Sequence, residues 1–203
     1  MKIAIIGVTG RVGSRVATEA LRRGHTVTGI VRSVEKINTI AGVAVVRGDA
    51  TKPEQLAKLI KGHDAVVSAA NFRVLTAAPL VQALKEAGLK RLIVVGGAAS
   101  LEIALGLILL DSPDFPAEYR GEAVPGTQFL ADLRAETTLE WTFLSPSALF
   151  APGERTGQFR LGHDQLLSDE KGLSHISMED YAIALVDELE HPQHMRERFT
   201  VGY

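Results

Sequence analysis

Residues 1–33 read MKIAIIGVTGRVGSRVATEALRRGHTVTGIVRS, and this stretch decides the fold. The apolar run at residues 3–6 leads directly into the glycine-rich segment GVTGRVG. Apolar residues then recur at helical spacing as far as Gly24, a residue that suits a left-handed helix end. A second apolar run follows. The stretch therefore predicts a buried strand, a tight turn, a helix over about Val12–Arg23 and a second strand parallel to the first.

The remaining chain repeats this alternation of short apolar runs and amphipathic stretches. Such a pattern is typical of strand–helix–strand units around a parallel sheet. We therefore expect an α/β fold with a doubly wound, mostly parallel sheet and helices on both faces. Strands are predicted at Lys2–Ile6, Thr26–Val31, Val43–Val46, Asp64–Ser68, Arg91–Val95, Trp141–Leu144 and Phe199–Val201.

Residues that favour helix starts and helix ends delimit the helices between these strands. One helix is predicted to open at Pro53 and another to end at Gly88, while the last spans about Met178–Glu190. Ser177 can cap this last helix, with Asp180 reaching back to complete a capping box.

Composition limits the function classes. The chain has 203 residues, of which 46% are hydrophobic and 23% charged, and we expect a single domain over residues 1–203. The absence of cysteine excludes disulfides, thiolate metal sites and a cysteine nucleophile. A net charge of −2 with 5% aromatics disfavours a nucleic-acid partner. The start lacks a signal-peptide pattern and the longest apolar run, residues 103–110, is too short to span a bilayer, so we expect a cytoplasmic protein.

The glycines follow the spacing GxxGxxG directly after a strand and directly before a helix. In that position backbone N–H groups at the positive end of the helix dipole can bind a pyrophosphate, although a tight turn without a ligand is the alternative. The sequence therefore predicts a dinucleotide site. Its candidate residues in this loop are Gly7, Thr9, Gly10, Arg11, Val12 and Gly13.

The end of the second strand bears on which dinucleotide binds. An NAD site usually places an acidic residue there for the ribose 2′-hydroxyl, whereas this chain has Arg32 and Ser33. A guanidinium can donate paired hydrogen bonds to a 2′-phosphate, with the serine adding a third and Arg11 lying on the same side. The nearest acid is Glu35. We expect NADP(H) to be preferred, with NAD(H) and a solvated arginine as the alternatives.

Small and polar residues follow the third and fourth strands. Asp49 and Ala50 would flank the adenine, and Asp49 either accepts from its amino group or caps the next helix. Ala69 and Ala70 allow the cofactor to pass close to the backbone. Asn71 is either part of this site or a helix N-cap.

Seven motifs spread over the chain carry a family resemblance: GVTGRVGS, IVRS, RGDATKPEQL, VVGGAASLE, WTFLSPSALFAPGERTG, ISMEDYAIALVDELEHPQH and RFTVGY. With these motifs the chain as a whole resembles the atypical short-chain dehydrogenase/reductases of the NmrA-like NAD(P)-binding type, most closely the group named for NADH-flavin reductase. The resemblance implies a single NAD(P)-binding Rossmann domain with a sheet of order 3-2-1-4-5-6 and a seventh strand. It also implies a substrate pocket built mainly from the later chain, which here corresponds to residues 97–120 and 146–180.

One departure from the family pattern affects the mechanism. Typical short-chain dehydrogenases carry Tyr-x-x-x-Lys, in which the lysine lowers the tyrosine pKa for proton exchange with a carbonyl or alcohol. Here Tyr119 is followed by Ala123 in the lysine position. Ser100 lies near the usual serine position and Tyr119 is the best remaining phenol. Both are candidate catalytic residues, with an ordinary structural role as the alternative.

A flat acceptor accounts for the missing lysine. A flavin or quinone takes hydride onto an electron-poor ring and collects its proton from water, so the protein mainly holds two rings in register. Gly96 and Gly97 would lie under the nicotinamide, with Ser145 and Pro146 beside its amide. Apolar residues would cover the rings, or else belong to the core or a subunit contact: Leu101, Leu105, Phe115 and Phe150.

These features favour an NADPH-dependent reductase of a flavin, quinone or similar flat aromatic acceptor, in a monomer or homodimer. The alternatives are a non-catalytic NADP(H) redox sensor and, less favoured, a sugar-nucleotide epimerase or dehydratase. The segment His191–His194 lacks a third ligand, so we expect a solvated loop rather than a metal site.

Overall fold

The structure, a computed structural model, describes residues 1–34 and 40–203, so Glu35 lies outside the described residues. The strands are β1 Lys2–Ile6, β2 Thr26–Val31, β3 Val43–Arg47, β4 Ala65–Ser68, β5 Arg91–Val95, β6 Glu102–Ala104, β7 Leu107–Ile108, β8 Glu140–Pro146, β9 Leu149–Ala151, β10 Arg160–Gly162, β11 His175–Ser177 and β12 Glu197–Gly202. The helices are α1 Arg11–Arg22, α2 Pro53–Ile60, α3 Ala77–Ala87, α4 Ala117–Arg134 and α5 Met178–Glu190, with a 3₁₀ turn at Leu109–Asp111.

The central sheet has the order β10-β12-β8-β5-β4-β1-β2-β3. Its strands are parallel except for β10, which pairs antiparallel with β12 at the edge. With β8 as the sixth strand and β12 as the seventh, the predicted order is confirmed. The doubly wound α/β fold is confirmed with it.

Side chains of each strand alternate between two cores because successive residues point to opposite faces of a sheet. In β1, Ile3 and Ile5 pack with α1 and α5, whereas Ala4 and Ile6 pack with α2, α3 and α4. All these strand residues are almost fully buried. The sheet is therefore covered on both faces, and its carboxyl edge is left for the loops that follow β1, β2, β3, β4, β5 and β8.

Helix α4 was not predicted from the sequence. It contains Gly121, Pro125 and Gly126, which are poor helix formers and weaken the helical signal of this segment. Of the capping box predicted for α5, only the hydrogen bond to the Ser177 hydroxyl is confirmed. The Ser177 hydroxyl accepts from the Asp180 N–H at 3.0 Å, but the Asp180 carboxylate does not reach back.

Asp180 instead holds the loop after β9 and the end of the chain. Its carboxylate accepts from the Gly157 N–H at 2.9 Å, from the Thr156 hydroxyl at 2.5 Å and from the Tyr203 hydroxyl at 2.7 Å. Since the carboxylate is completely buried, these three donors compensate for its loss of water. The segment after Pro146 is thereby fixed against α5.

The apolar run at residues 103–110 forms the small hairpin of β6 and β7. Leu105 stands fully exposed beside Gly106, whose φ of +74° makes the tight turn. Leu110, by contrast, is buried. The core interpretation of this run is therefore wrong for Leu105 and correct for Leu110. Across the described residues no helix is both long and apolar enough to cross a membrane.

Candidate functional site

The turn between β1 and α1 is tight enough to require its glycines. Gly7 has φ +80°, and its carbonyl oxygen accepts from the Gly10 N–H at 2.9 Å. A Cβ on Gly13 would lie 2.2 Å from that carbonyl oxygen, and a Cβ on Gly7 would lie 2.6 Å from the Ala69 oxygen. Real Cβ atoms do not approach so closely, so the turn depends on bare backbone at both positions.

This turn presents the start of α1 to the cleft. Gly10 is the N-cap and provides no side-chain hydrogen bond, so the first N–H groups of the helix have neither a cap nor an intrahelical partner. Together with the helix dipole they form an anion site. The cradle without Cβ atoms and the uncapped helix start fit a dinucleotide pyrophosphate, as the sequence predicts.

A cleft of about 460 Å³ runs from this turn across the ends of β2, β3 and β4. Most of the predicted cofactor residues line this cleft: Gly7, Thr9, Gly10, Arg32, Ser33, Asp49, Ala50, Ala69, Ala70 and Asn71. The other predicted cofactor residues do not line the cleft. Three of them belong to the first turn of α1: Arg11, Val12 and Gly13. The rest lie at the carboxyl ends of β5 and β8: Gly96, Gly97, Ser145 and Pro146. The cleft thus corresponds to the adenosine and phosphate half of the expected site.

Four arginines near this edge differ from the others in their side-chain interactions. Within the described residues, the side chains of Arg11, Arg32, Arg47 and Arg73 form no hydrogen bond or ion pair. The other arginines are all engaged with carboxylates or carbonyl oxygens. Arg11 is the first residue of α1, Arg47 is the last residue of β3, and Arg32 and Arg73 follow β2 and β4. Cations concentrated here without internal partners are available to an anionic ligand.

Arg47 and Arg73 were missed by the sequence analysis. Arg47 is the last residue of β3, and Arg73 is the fifth residue after the end of β4. Like Arg32, both lie at or shortly after the carboxyl end of an apolar strand, and this position is the signal that could have found them.

Asp49 holds the turn that precedes α2. Its Oδ1 accepts from the Thr51 hydroxyl at 2.7 Å and from the Thr51 N–H at 3.0 Å, and these bonds lower the pKa of the Asp49 carboxyl. The N-cap of α2 is Lys52, so the interpretation of Asp49 as the helix cap is wrong. Its place in the wall of the cleft leaves the predicted adenine contact open to test.

Asn71 is not a helix N-cap either, because Thr76 has that position in α3. Its Oδ1 accepts from the Arg73 N–H at 2.8 Å, and its Nδ2 donates to Oε2 of Glu122 in α4 at 2.8 Å. Both ends of the amide are therefore used by the protein. The hydrogen bonds fix the loop after β4 and attach it to α4.

Two glycines of α4 admit the next two residues of that loop. A Cβ on Gly126 would lie 2.9 Å from the Phe72 ring, and a Cβ on Gly121 would lie 2.6 Å from Nη2 of Arg73. Glycine inside a helix lowers helix stability by about 1 kcal/mol relative to alanine. The close contacts with Phe72 and Arg73 explain why α4 nevertheless contains these two glycines. Helix α4 is thus shaped to the loop at the end of β4.

At the end of β5, Gly96 and Gly97 have different roles. The Gly96 N–H donates to the Leu144 oxygen at 2.8 Å, and a Cβ on Gly96 would lie 2.3 Å from the Phe143 ring. Apart from its two chain neighbours, no described residue has an atom within 4 Å of where a Cβ on Gly97 would lie. Packing therefore requires Gly96, whereas Gly97 faces open space that a ring can occupy.

Ser100 and Ser145 are joined through Arg198, which the sequence analysis missed. This buried guanidinium lies 3.4 Å from the Ser100 hydroxyl and 3.5 Å from the Ser145 hydroxyl, while its Nε donates to Asp164 at 2.8 Å. Burial lowers the pKa of Arg198, against the opposite effect of Asp164. Pro146 is buried at the end of the same strand as Ser145. The burial of Arg198 could not be predicted, because the sequence pattern around a buried arginine in a strand is the same as that around an exposed one.

The two candidate catalytic residues are not assembled into a pair. Tyr119, in the first turn of α4, is 63% exposed, and its hydroxyl has no hydrogen-bond partner in the described part of the chain. Ser100 contacts Arg198 instead of a phenol. The buried phenol at this edge is Tyr181, whose hydroxyl donates to the Leu144 oxygen at 2.7 Å and whose pKa is raised by burial. It supports the strand ends rather than facing a ligand.

The predicted apolar cover is not confirmed as a whole. Leu101 is buried in the protein and Leu105 points into solvent, so neither forms a cover in this structure. Phe150 packs on Tyr181 with ring centroids 4.7 Å apart. The ring centroid of Phe115 lies 5.5 Å from Cζ of Arg120 near the start of α4, and its role as a cover stays a prediction.

The His191–His194 segment is anchored, which corrects the expectation of a solvated loop. His194 Nδ1 lies 2.8 Å from Oε2 of Glu188, and its ring stacks on Phe199 at 4.1 Å. Glu188 also pairs with buried Arg91 at 3.0 Å. His191 is exposed, as predicted. The described residues contain no cluster of three or more acidic or histidine side chains that could hold a metal ion.

A parallel doubly wound sheet, a glycine cradle at its first helix and unpartnered cations around the cleft define a dinucleotide-binding protein of the Rossmann type. Residues 7–192 match the sequence profile of a family described as NAD(P)H-binding. The chain belongs to this family, and its resemblance to the atypical short-chain dehydrogenase/reductases is confirmed.

Relatives cover the whole chain. The uncharacterized protein YwnB of Bacillus subtilis strain 168 is 44% identical over 211 aligned residues, which cover 99% of this chain and 98% of YwnB. A crystal structure of a candidate epimerase from Bacteroides thetaiotaomicron is 43% identical with a TM-score of 0.93, covering 100% of this chain and 96% of the other. A candidate NADH-flavin reductase from Streptococcus pneumoniae TIGR4 is 37% identical with a TM-score of 0.87, covering 100% and 99%.

Proposed function

We propose that this protein is a reductase that prefers NADPH and transfers hydride to a flavin, quinone or similar flat aromatic acceptor. The observation that carries the cofactor preference is Arg32. Its guanidinium is exposed in the wall of the cleft, just after the end of β2, and forms no hydrogen bond or ion pair among the described residues. A 2′-phosphate at this position would gain charge-assisted hydrogen bonds that a 2′-hydroxyl cannot match.

Cations and small residues would share the binding of the dinucleotide. The uncapped start of α1 would bind the pyrophosphate, and Arg11 and Arg47 add positive charge on either side of Arg32. Ala69 and Ala70 leave room for the cofactor to cross the end of β4. When bound, the reduced nicotinamide supplies a hydride, and the acceptor takes up a further proton from water.

The acceptor class rests on what the site lacks for carbonyl chemistry. Ala123 replaces the lysine of Tyr-x-x-x-Lys, and the Tyr119 hydroxyl lies free in solvent. A flavin or quinone needs no protein acid to receive hydride, so the open space above Gly97 need only align two rings. The similarity to a candidate NADH-flavin reductase supports this class, although that protein is named for NADH.

Turnover with a panel of acceptors tests the proposal. The purified protein is mixed with NADPH or NADH and with riboflavin, FMN or a water-soluble quinone, and the nicotinamide absorbance is followed. We expect turnover with a flat acceptor and a higher kcat/KM for NADPH than for NADH. Tight cofactor binding without turnover would favour the redox sensor instead. Conversion of a sugar nucleotide at unchanged nicotinamide absorbance would favour the epimerase, a name that the Bacteroides relative carries.

A further inference from the structure

Arg73 is the one of the four unpartnered arginines that the dinucleotide does not explain. Arg11, Arg32 and Arg47 surround β1, β2 and β3, where the adenosine and phosphates would lie. Arg73 follows β4, on the way to the ends of β5 and β8 where the nicotinamide would lie. Arg73 itself does not line the cleft, and its guanidinium lies against Gly121 of α4, two residues after the candidate catalytic residue Tyr119.

The protein fixes the backbone of Arg73 without neutralising its side chain. The Arg73 N–H is fixed by Oδ1 of Asn71 at 2.8 Å, and Asn71 and Val74 on either side line the cleft. The guanidinium lies against Gly121, where any Cβ would come within 2.6 Å of Nη2. No carboxylate of the described residues forms an ion pair with it, and the nearby Glu122 accepts from Asn71 instead. The gap in α4 at Gly121 thus accommodates a guanidinium whose donors remain available.

We propose that Arg73 is a specificity-determining residue that binds an anionic group, such as a phosphate or carboxylate, on the side chain of the flat acceptor. This inference rests on the proposed reductase function. A guanidinium suits this task because it stays charged and can donate two parallel hydrogen bonds to a phosphate or carboxylate. Among flavins, the substrate class is therefore a phosphorylated one rather than the neutral parent compound.

FMN and riboflavin form a matched pair for the test, because they share one ring and differ by a phosphate. With saturating NADPH, we expect the wild-type kcat/KM for FMN to exceed that for riboflavin by about tenfold or more, since hydrogen bonds to charged groups are strong. Increasing salt should reduce this ratio. Reduction of riboflavin with an FMN ratio near one would overturn the inference and leave the reductase function intact. Failure to reduce any acceptor would overturn both.

Three variants locate the effect. Arg73→Gln should bring the FMN-to-riboflavin ratio close to one. Gly121→Ala keeps the charge but displaces the guanidinium, and it should lower the ratio by several-fold while favouring the helix. Lys61→Gln at the end of α2 changes the net charge equally and should leave the ratio unchanged. If Arg73→Gln instead raises the KM for NADPH and lowers both flavin rates equally, Arg73 binds the cofactor and the inference is wrong.

Discussion

The side-chain amide of Asn71 donates a 2.8 Å hydrogen bond to Oε2 of Glu122, and this bond joins the wall of the cofactor cleft to α4. Since Oδ1 of the same amide fixes the Arg73 N–H, one side chain aligns the loop after β4 with α4. The order of the cleft wall therefore depends on a residue outside the glycine motif.

Removal of the Glu122 carboxylate should loosen this wall. We expect Glu122→Ala to weaken NADPH binding by about three- to tenfold, because a hydrogen bond to a charged group contributes about 1 kcal/mol or more. Glu122→Gln keeps an acceptor oxygen and should lose less than half of that effect in free energy. Fluorescence titration with NADPH measures both. Equal losses in the two variants would show that charge, rather than the hydrogen bond, matters.

The second prediction concerns Arg32 and the choice of cofactor. Arg32→Asp should weaken NADPH binding by roughly ten- to a hundredfold, because a phosphate would then meet a carboxylate in place of a paired donor. The affinity for NADH should rise relative to NADPH, since an acidic residue at this strand end suits a ribose 2′-hydroxyl. Titrations with both cofactors provide the measurement, and parallel changes in the two affinities would contradict the role given to Arg32.

A pair of glycine variants separates packing from ligand contact at the end of β5. Gly96→Ala should destabilise the protein by about 1–3 kcal/mol, because its Cβ would meet Phe143 at 2.3 Å. Gly97→Ala meets nothing within 4 Å and should leave the melting temperature almost unchanged. If the nicotinamide lies on Gly97, this second variant nevertheless weakens binding of the whole cofactor. Unchanged binding and unchanged turnover in Gly97→Ala would place the ring elsewhere.

Hydroxyl removal tests the need for a protein acid. Tyr119→Phe should change kcat by less than about twofold, because the phenol is exposed and has no partner in the described ranges. Ser100→Ala removes a hydroxyl 3.4 Å from Arg198 and should affect KM more than kcat. Steady-state kinetics with riboflavin distinguish these parameters. A tenfold or larger fall in kcat for Tyr119→Phe would mean that this phenol supplies the proton and that the acceptor is not reduced as proposed.

The sheet could be predicted from the sequence because its strands are buried on both faces. Runs such as Arg91–Val95 then read as continuous apolar segments with glycine or proline signals beside them. Helix α4 was missed because Gly121, Pro125 and Gly126 all oppose local helix propensity, although the two glycines serve the packing of the loop after β4. A local sequence pattern does not reveal a helix whose residue types depend on contacts with a segment that is distant in the sequence.

Much of the candidate site could be predicted from the residues at the carboxyl ends of the predicted strands. Arg32 and the glycine turn lie in the cleft because the carboxyl ends of neighbouring parallel strands meet at one edge. The contacts that depend on side-chain direction were not predictable. Arg198 joins Ser100 to Asp164 across long sequence separations, and Asp49 turns toward Thr51 rather than capping α2.

The last prediction concerns acid stability through Glu19 of α1. Its buried carboxylate accepts from Nε of Arg23 at 2.9 Å and from Nε and Nη2 of Arg155 at 3.0 and 2.9 Å. Burial alone would raise the pKa of Glu19, but the two arginines outweigh it and lower the pKa from 4.5 to about 2. Arg155 belongs to the loop after β9, so this cluster attaches that loop to α1.

A pKa that is lower in the folded state contributes stability above the unfolded value, and this stability is lost as pH falls toward the folded value. For Glu19 the contribution is about 3 kcal/mol above pH 4.5 and decreases toward pH 2. Glu19→Gln should therefore be less stable than wild type by about 3 kcal/mol at pH 7, and by less than half of that at pH 3. Urea unfolding at pH 7, 5 and 3 measures the difference, with Glu54→Gln on the exposed face of α2 as the control. A gap between wild type and Glu19→Gln that stays constant across this range would show that packing, not the ionised carboxylate, stabilises the cluster.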